Sequence, residues 1–192
     1  MEDKKMGDIQ LDLLFFINNR LQNPFLDMVV PVIYSITDVR VIFALIILVL
    51  IGSRIFKNNK ITKIALYCLA AYCLSIVLIM ISKTFYPSPR PFIAYEAIRL
   101  VVHDNGFYSF PSGHFGISTT VLTVIILVAD KHKRELIVLS LIYLLILSFV
   151  VIYGGVHYPI DVIGGGIIGI ISAEIVVHIL ENYLGTKLLF KP

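Results

Sequence analysis

Charged side chains are scarce in this 192-residue chain: Asp, Glu, Lys and Arg together make up 15% of it, against about 25% in an ordinary soluble domain. Tryptophan is absent, and cysteine occurs only twice. Each scarcity excludes something. With 58% of its residues hydrophobic, a chain of this length has too little interior to hide its apolar surface from water, because small domains bury only a modest fraction of it. A soluble globule is excluded, and an integral membrane protein is implied. A net charge of +3 is too small to draw a nucleic acid or another polyanion as partner. Cys68 and Cys73 stand five apart in one apolar run. On a helix that spacing turns them away from each other, so both are expected as buried free thiols, not a disulfide or a metal pair. Asp8 and Asp12 follow Lys4 and Lys5 before any apolar core, so no cleaved signal peptide is expected.

Long apolar runs are what the chain has in place of charge. A bilayer core takes about 20 apolar residues in a helix, and Ile64–Ser82, Phe115–Ala129, Leu136–Tyr153 and Val162–Leu180 approach that length. Val41–Gly52 is apolar between Arg40 and Arg54, and Phe25–Ile36 is shorter and carries Asp27 and Pro31. Ile9, Leu13, Phe16, Ile17 and Leu21 recur at helical spacing among polar residues, the pattern of a segment lying in the interface plane. The expected fold is therefore all-α: a polytopic membrane helix bundle of about six transmembrane helices. Residues 1–192 form one domain in this reading, with 1–22 interfacial and 25–182 the bundle. Basic residues gather in two connections, Arg54–Lys63 and Lys131–Arg134, which marks these as cytoplasmic together with both termini. The connections 83–114 and 153–161 are poor in Lys and Arg and are expected outside. Gly164, Gly165, Gly166 and Gly169 read as close helix packing. Glu174 and His178, four apart in the last span, read as a pair on one helix face.

Against this apolar background, the outer connections concentrate polar residues. Lys83 ends one span and Arg90-Pro91 follows seven positions later; Pro111-Ser112-Gly113-His114 opens the next span; His157 and Asp161 open the last. Singly, each has an ordinary explanation as an interfacial cation, a loop or a cap. All lie at helix ends on the same side, so they can converge. Lys83 offers a compact ammonium and Arg90 a planar fork that suits phosphate oxygens. Ser112 and Gly113 fall where a helix N-terminus presents free N–H groups to an anion. Pro159 suits a first helical position, placing Asp161 in the first turn, where its carboxylate can orient His157 for nucleophilic attack. His114 is then the proton donor to the leaving oxygen.

These groups carry a resemblance. In order and internal spacing, Lys83, Arg90, Pro91, Pro111, Ser112, Gly113, His114, His157 and Asp161 match the three motifs of the type-2 phosphatidic acid phosphatase family, the lipid phosphate phosphatases, over residues 83–161. The resemblance implies a metal-independent, cofactor-free hydrolase acting through a phosphohistidine, here on His157. The implied partners are the bilayer and a lipid phosphate entering an extracytoplasmic site. A polyprenyl diphosphate of undecaprenyl type is the first candidate; phosphatidic acid and phosphatidylglycerol phosphate remain open. The chain departs from the family's third motif at one place. A Ser-Arg pair belongs at positions 150 and 151, and Val150-Val151 stands there. That substitution leaves a weak or inactive phosphate-binding member as the other reading, with Arg99 and His103 as candidate replacements for the missing cation.

Overall fold

The computed structural model describes residues 2–182 and the side chains of residues 9–182. The described chain is helical throughout: α1 (Glu2–Phe15), a π-helical turn (Phe16–Arg20), α2 (Pro24–Ile36), α3 (Val39–Ile55), α4 (Asn59–Phe85), α5 (Pro91–Ala94), α6 (Gly113–Val128), α7 (Lys133–Tyr153) and α8 (Pro159–Asn182). An isolated bridge between Pro89 and Tyr108 is the one trace of β-pairing among the described residues. Caps mark the helix starts. Asn23, Asp38, Asn58 and Ser112 each accept a backbone N–H of the turn they open, which removes an orphan donor from the helix end.

Helices α4, α7 and α8, at 27, 21 and 24 residues, are each long and apolar enough to cross a bilayer; α2 and α3 reach that standard only as a pair bent by 49°. The chain is thus a multi-pass membrane protein with fewer self-sufficient spans than the expected six. α6, at 16 residues, is apolar but shorter than these three, and α2 is set apart by its contacts. At its start the Asn23 N–H bonds the Tyr153 hydroxyl (3.3 Å), at the end of α7. Near its finish, the Tyr34 ring stacks on His114, at the opening of α6. Both places belong to the same end of the bundle, and α2 caps that end.

The N-terminal segment docks on that end too. Asn18, fully buried, donates from Nδ2 to the carbonyls of Tyr153 (2.7 Å) and Arg99 (2.9 Å), and Leu14 joins the core there. The sequence places the N-terminal segment with the Lys-rich loops; instead it packs at the opposite end. The physical reason is a polar residue, Asn18, whose amide satisfies two loop carbonyls that would otherwise be buried unpaired.

Close packing of α6 on α8 forms the frame. A Cβ on Gly169 would stand 2.5 Å from the Gly116 carbonyl oxygen, and one on Gly165 would stand 2.6 Å from that of Ser112. Glycine is what lets these backbones approach, as the small-residue stripe implied. Two other expectations are corrected. Cys68 is buried, but Cys73 is exposed on the bundle surface. His178 bonds Asn182 (3.0 Å) rather than Glu174, which is exposed.

Candidate active site

The site end is where α4 and α7 finish and α6 and α8 begin. Pro159 opens α8 and places Asp161 in its first turn, and there one carboxylate oxygen gathers three donors. Asp161 Oδ2 accepts the Tyr158 N–H (2.7 Å), the Ser109 hydroxyl, and Nδ1–H of His157 (3.3 Å). With Nδ1 donating, Nε2 of His157 keeps its lone pair. His157 is 1% exposed. Burial, aided by the positive charges of Arg90 and Lys83 and opposed by Asp161, pushes its imidazole down to about 4. It is therefore neutral at physiological pH, the state a nitrogen nucleophile needs.

Two loop connections deliver the cations. Lys83, in the last turn of α4, bonds the carbonyls of Tyr108 (3.0 Å) and Ser109 (3.2 Å). Arg90 adopts an extended backbone ahead of Pro91, as residues preceding proline do. Its guanidinium turns inward to the Val156 carbonyl (3.4 Å) and the Asp104 carboxylate (2.9 Å). Asp104 also accepts the Tyr34 hydroxyl and, on its other oxygen, the Gly106 N–H (2.6 Å). Burial raises the Asp104 carboxyl, but Tyr34, Arg90 and Gly106 together outweigh it and hold the group below the usual carboxylate range.

His114 completes the group. Its ring lies 4.1 Å from that of Tyr34, nearly parallel. Ser112 caps α6 but is not the free anion cradle expected of it, because its N–H donates to the Asp161 carbonyl (3.0 Å) and ties the starts of α6 and α8 together. Gly113, next in the first turn, meets nothing closer than Val39, 3.7 Å from where a Cβ would stand.

Buried polar atoms are normally paired. Among the described residues, five buried side-chain polar atoms have no partner, and three are Arg90 Nε, His114 Nε2 and Asp161 Oδ1. Arg90 Nε is a donor that an anion can meet, and so is a protonated His114 Nε2; Asp161 Oδ1, a carboxylate oxygen, is not. No group of three His, Cys, Asp or Glu side chains suited to a metal ion occurs among the described residues.

The remaining expectations resolve individually. Val150 and Val151, 1% and 0% exposed, belong to an apolar core with Leu14, Val30 and Leu147. Arg99 does not replace the missing cation. It pairs with Asp27 (2.5 Å), bonds the Asn18 carbonyl (3.2 Å) and lies over the Tyr153 ring. His103 is exposed. Sequence reasoning missed Ser109, Asp104 and Tyr34. Only Ser109 had a signal, its position two residues before the Pro-Ser-Gly-His run.

A buried, oriented histidine thus stands near two cations at one end of a membrane helix bundle. The PAP2 superfamily model matches residues 61–184, and the chain belongs to that superfamily. It is 32% identical over 115 residues to the undecaprenyl-diphosphatase of Sulfolobus acidocaldarius, covering 60% of this chain and 53% of that one. It is 31% identical over 124 residues to the undecaprenyl-diphosphatase BcrC of Bacillus subtilis, covering 65% and 62%. The chain thus spans just over half the length of these curated relatives. Among solved structures, Aquifex aeolicus LpxE matches with a TM-score of 0.71 at 31% identity, over 88% of this chain and 94% of that one. A PAP2-type phosphatidylglycerolphosphate phosphatase from Bacillus subtilis shares the fold, with a TM-score of 0.78 at 22% identity over 93% and 88%.

Proposed function

We propose that this chain hydrolyses a phosphate or diphosphate ester carried by a membrane lipid, by way of a phosphohistidine on His157. The observation that carries the reading is the neutral, buried His157 held through Nδ1 by Asp161, with Arg90 and Lys83 close enough to lower its proton affinity. Nε2 forms a bond to phosphorus as the P–O bond to the lipid breaks, and His114 gives a proton to the departing oxygen. Water then attacks the phosphohistidine, His114 takes a proton from it, and inorganic phosphate leaves with Nε2 restored. Lys83 and Arg90 meet the charge on the phosphoryl oxygens in both steps. No step is assigned to a metal ion.

The substrate is an undecaprenyl-like diphosphate, and the site faces the extracytoplasmic side. Two features support this: the curated relatives are undecaprenyl-diphosphatases, and the Lys-rich loops lie at the far end. Chemistry agrees. A diphosphate leaves as a lipid phosphate, a good leaving group, and so asks less of a site in which Val151 stands where an arginine belongs. A phosphate-binding member without turnover is the second reading, favoured by that sealed valine. The test is phosphate release by purified protein in detergent from polyprenyl diphosphate, polyprenyl phosphate, phosphatidic acid and phosphatidylglycerol phosphate. Release from the diphosphate, blocked by vanadate and lost in His157→Ala, is expected. Undiminished release by His157→Ala removes the phosphohistidine, and no release from any substrate by protein that still binds vanadate supports the second reading.

A further inference from the structure

The carboxylate on Arg90 has no part in the reaction above, yet it holds the guanidinium that the reaction needs. Asp104 and Arg90 are 12% and 9% exposed. The loop that carries Asp104 is laid along the extended segment that carries Arg90: the Arg90 N–H bonds the Phe107 carbonyl (3.1 Å), and the Ser109 N–H bonds that of Ser88 (2.8 Å). Gly106 sits so close that a Cβ there would come within 2.7 Å of Arg90 Nη2. The nucleophile is itself shut in, His157 being 1% exposed. A phosphoryl group reaching His157 must take the guanidinium, so the contact that has to break is Asp104 on Arg90.

Resting on the phosphatase reading, we infer that Asp104 is a specificity-determining residue: its carboxylate occupies the phosphate position on Arg90 and yields only to ligands carrying more than one negative charge. A buried ion pair parted without replacement leaves an uncompensated charge, which is strongly unfavourable, so the loop opens when an incoming anion takes over the arginine. An exchange of one single charge for another gains little. A phosphomonoester dianion or a diphosphate brings surplus charge and the stronger, charge-assisted contacts of several oxygens. A phosphodiester headgroup, with a single negative charge, brings none. Asp104 thus keeps the phosphodiester lipids of the surrounding bilayer off Arg90 while admitting substrate. Arg90 is not fully engaged by Asp104, since its Nε is buried without a partner; a strut made to fix the guanidinium permanently would fill that donor.

The experiment measures inhibition of diphosphate hydrolysis, at an alkaline pH where orthovanadate is a dianion, by orthovanadate and by short-chain phosphatidylglycerol, a phosphodiester monoanion, in wild type, Asp104→Asn and Asp104→Glu. Asp104→Asn should lower the phosphatidylglycerol Ki about tenfold or more and lower the vanadate Ki by less, each tenfold step being 1.4 kcal/mol. Asp104→Glu, which keeps the charge, should stay near wild type. If Asp104→Asn does not accumulate as folded protein, Asp104→Ser asks the same question with a smaller neutral side chain and should shift both Ki values the same way. Unchanged or weaker phosphatidylglycerol binding in these variants overturns the inference. Absence of both hydrolysis and vanadate binding in wild type would instead sink the phosphatase reading on which it rests.

Discussion

At the Lys-rich end of the bundle, α3, α4, α6 and α8 enclose Ile46, Tyr67, Cys68, Ala71, Val124, Ala173 and Val176, and the ion pair Lys63–Glu181, 20% and 39% exposed, lies beside Tyr67. Lys60–Asp130 is 64% and 71% exposed there. At the site end the same helices stop short, and the space between them holds Arg90, Asp104, His157 and Asp161, none more than 12% exposed. One end buries hydrocarbon and leaves charge in water; the other buries charge and compensates it with loops. A helix interior satisfies its own backbone, so long helices need nothing from their neighbours but shape. Helix ends leave N–H and C=O groups over, and those ends are where polar side chains converge. The contrast predicts that the effect of a substitution depends on which end it strikes.

Asp161→Asn tests the site end most severely. An amide in place of the carboxylate no longer holds the Nδ1–H tautomer, and kcat should fall by about 10³–10⁴-fold, the scale seen when a triad aspartate is made neutral. Steady-state phosphate release measures it. Loss below tenfold would mean that the Tyr158 N–H and Ser109 contacts, not the charge, do the orienting. Ser109→Ala removes one donor from the same oxygen. A hydrogen bond to a charged group is worth about 1.5–3 kcal/mol, so kcat should drop by about 10–100-fold with KM little changed.

Between the two ends, Gly169→Val drives a side chain into the Gly116 carbonyl and Thr119 Cβ, the latter 2.8 Å from the added carbon. Overpacking of this kind costs about 1–3 kcal/mol, visible as a lowered midpoint of thermal unfolding in detergent. At the far end, Lys60→Ala removes an ion pair between water-exposed partners, and neither midpoint nor kcat should move measurably. A large effect there would break the comparison, because it would show the Lys-rich end to be coupled to the site.

Much of the site was legible because helix starts and stops carry local chemistry. Pro159 and Asp161 opening α8, Ser112 capping α6 and Arg90 ahead of Pro91 each follow from neighbours within a few residues, and all fall where expected. Contacts between remote segments were not legible. Tyr34 lies 70 residues from Asp104 and Ser109 lies 52 from Asp161; no periodicity reports a pairing of that kind. The Ser112 N–H, expected to be free, is taken by a carbonyl 49 positions away for the same reason. Hydrophobicity likewise marked Phe25–Ile36 as a span, although both ends of α2 meet the site end.

Composition and motif spacing were enough to indicate a membrane helix bundle of this superfamily with its motifs at helix ends, since transfer of apolar side chains into lipid and the capping of helix ends are local, additive properties of residues. Other features rest on the packing of distant segments. These are the side on which the N-terminal helix docks, the hydroxyl on Asp161, the carboxylate that covers Arg90, and the commitment of Arg99 to Asp27. In a buried, low-dielectric space every charge must find a partner. Which partner it finds depends on what the fold brings within about 3 Å.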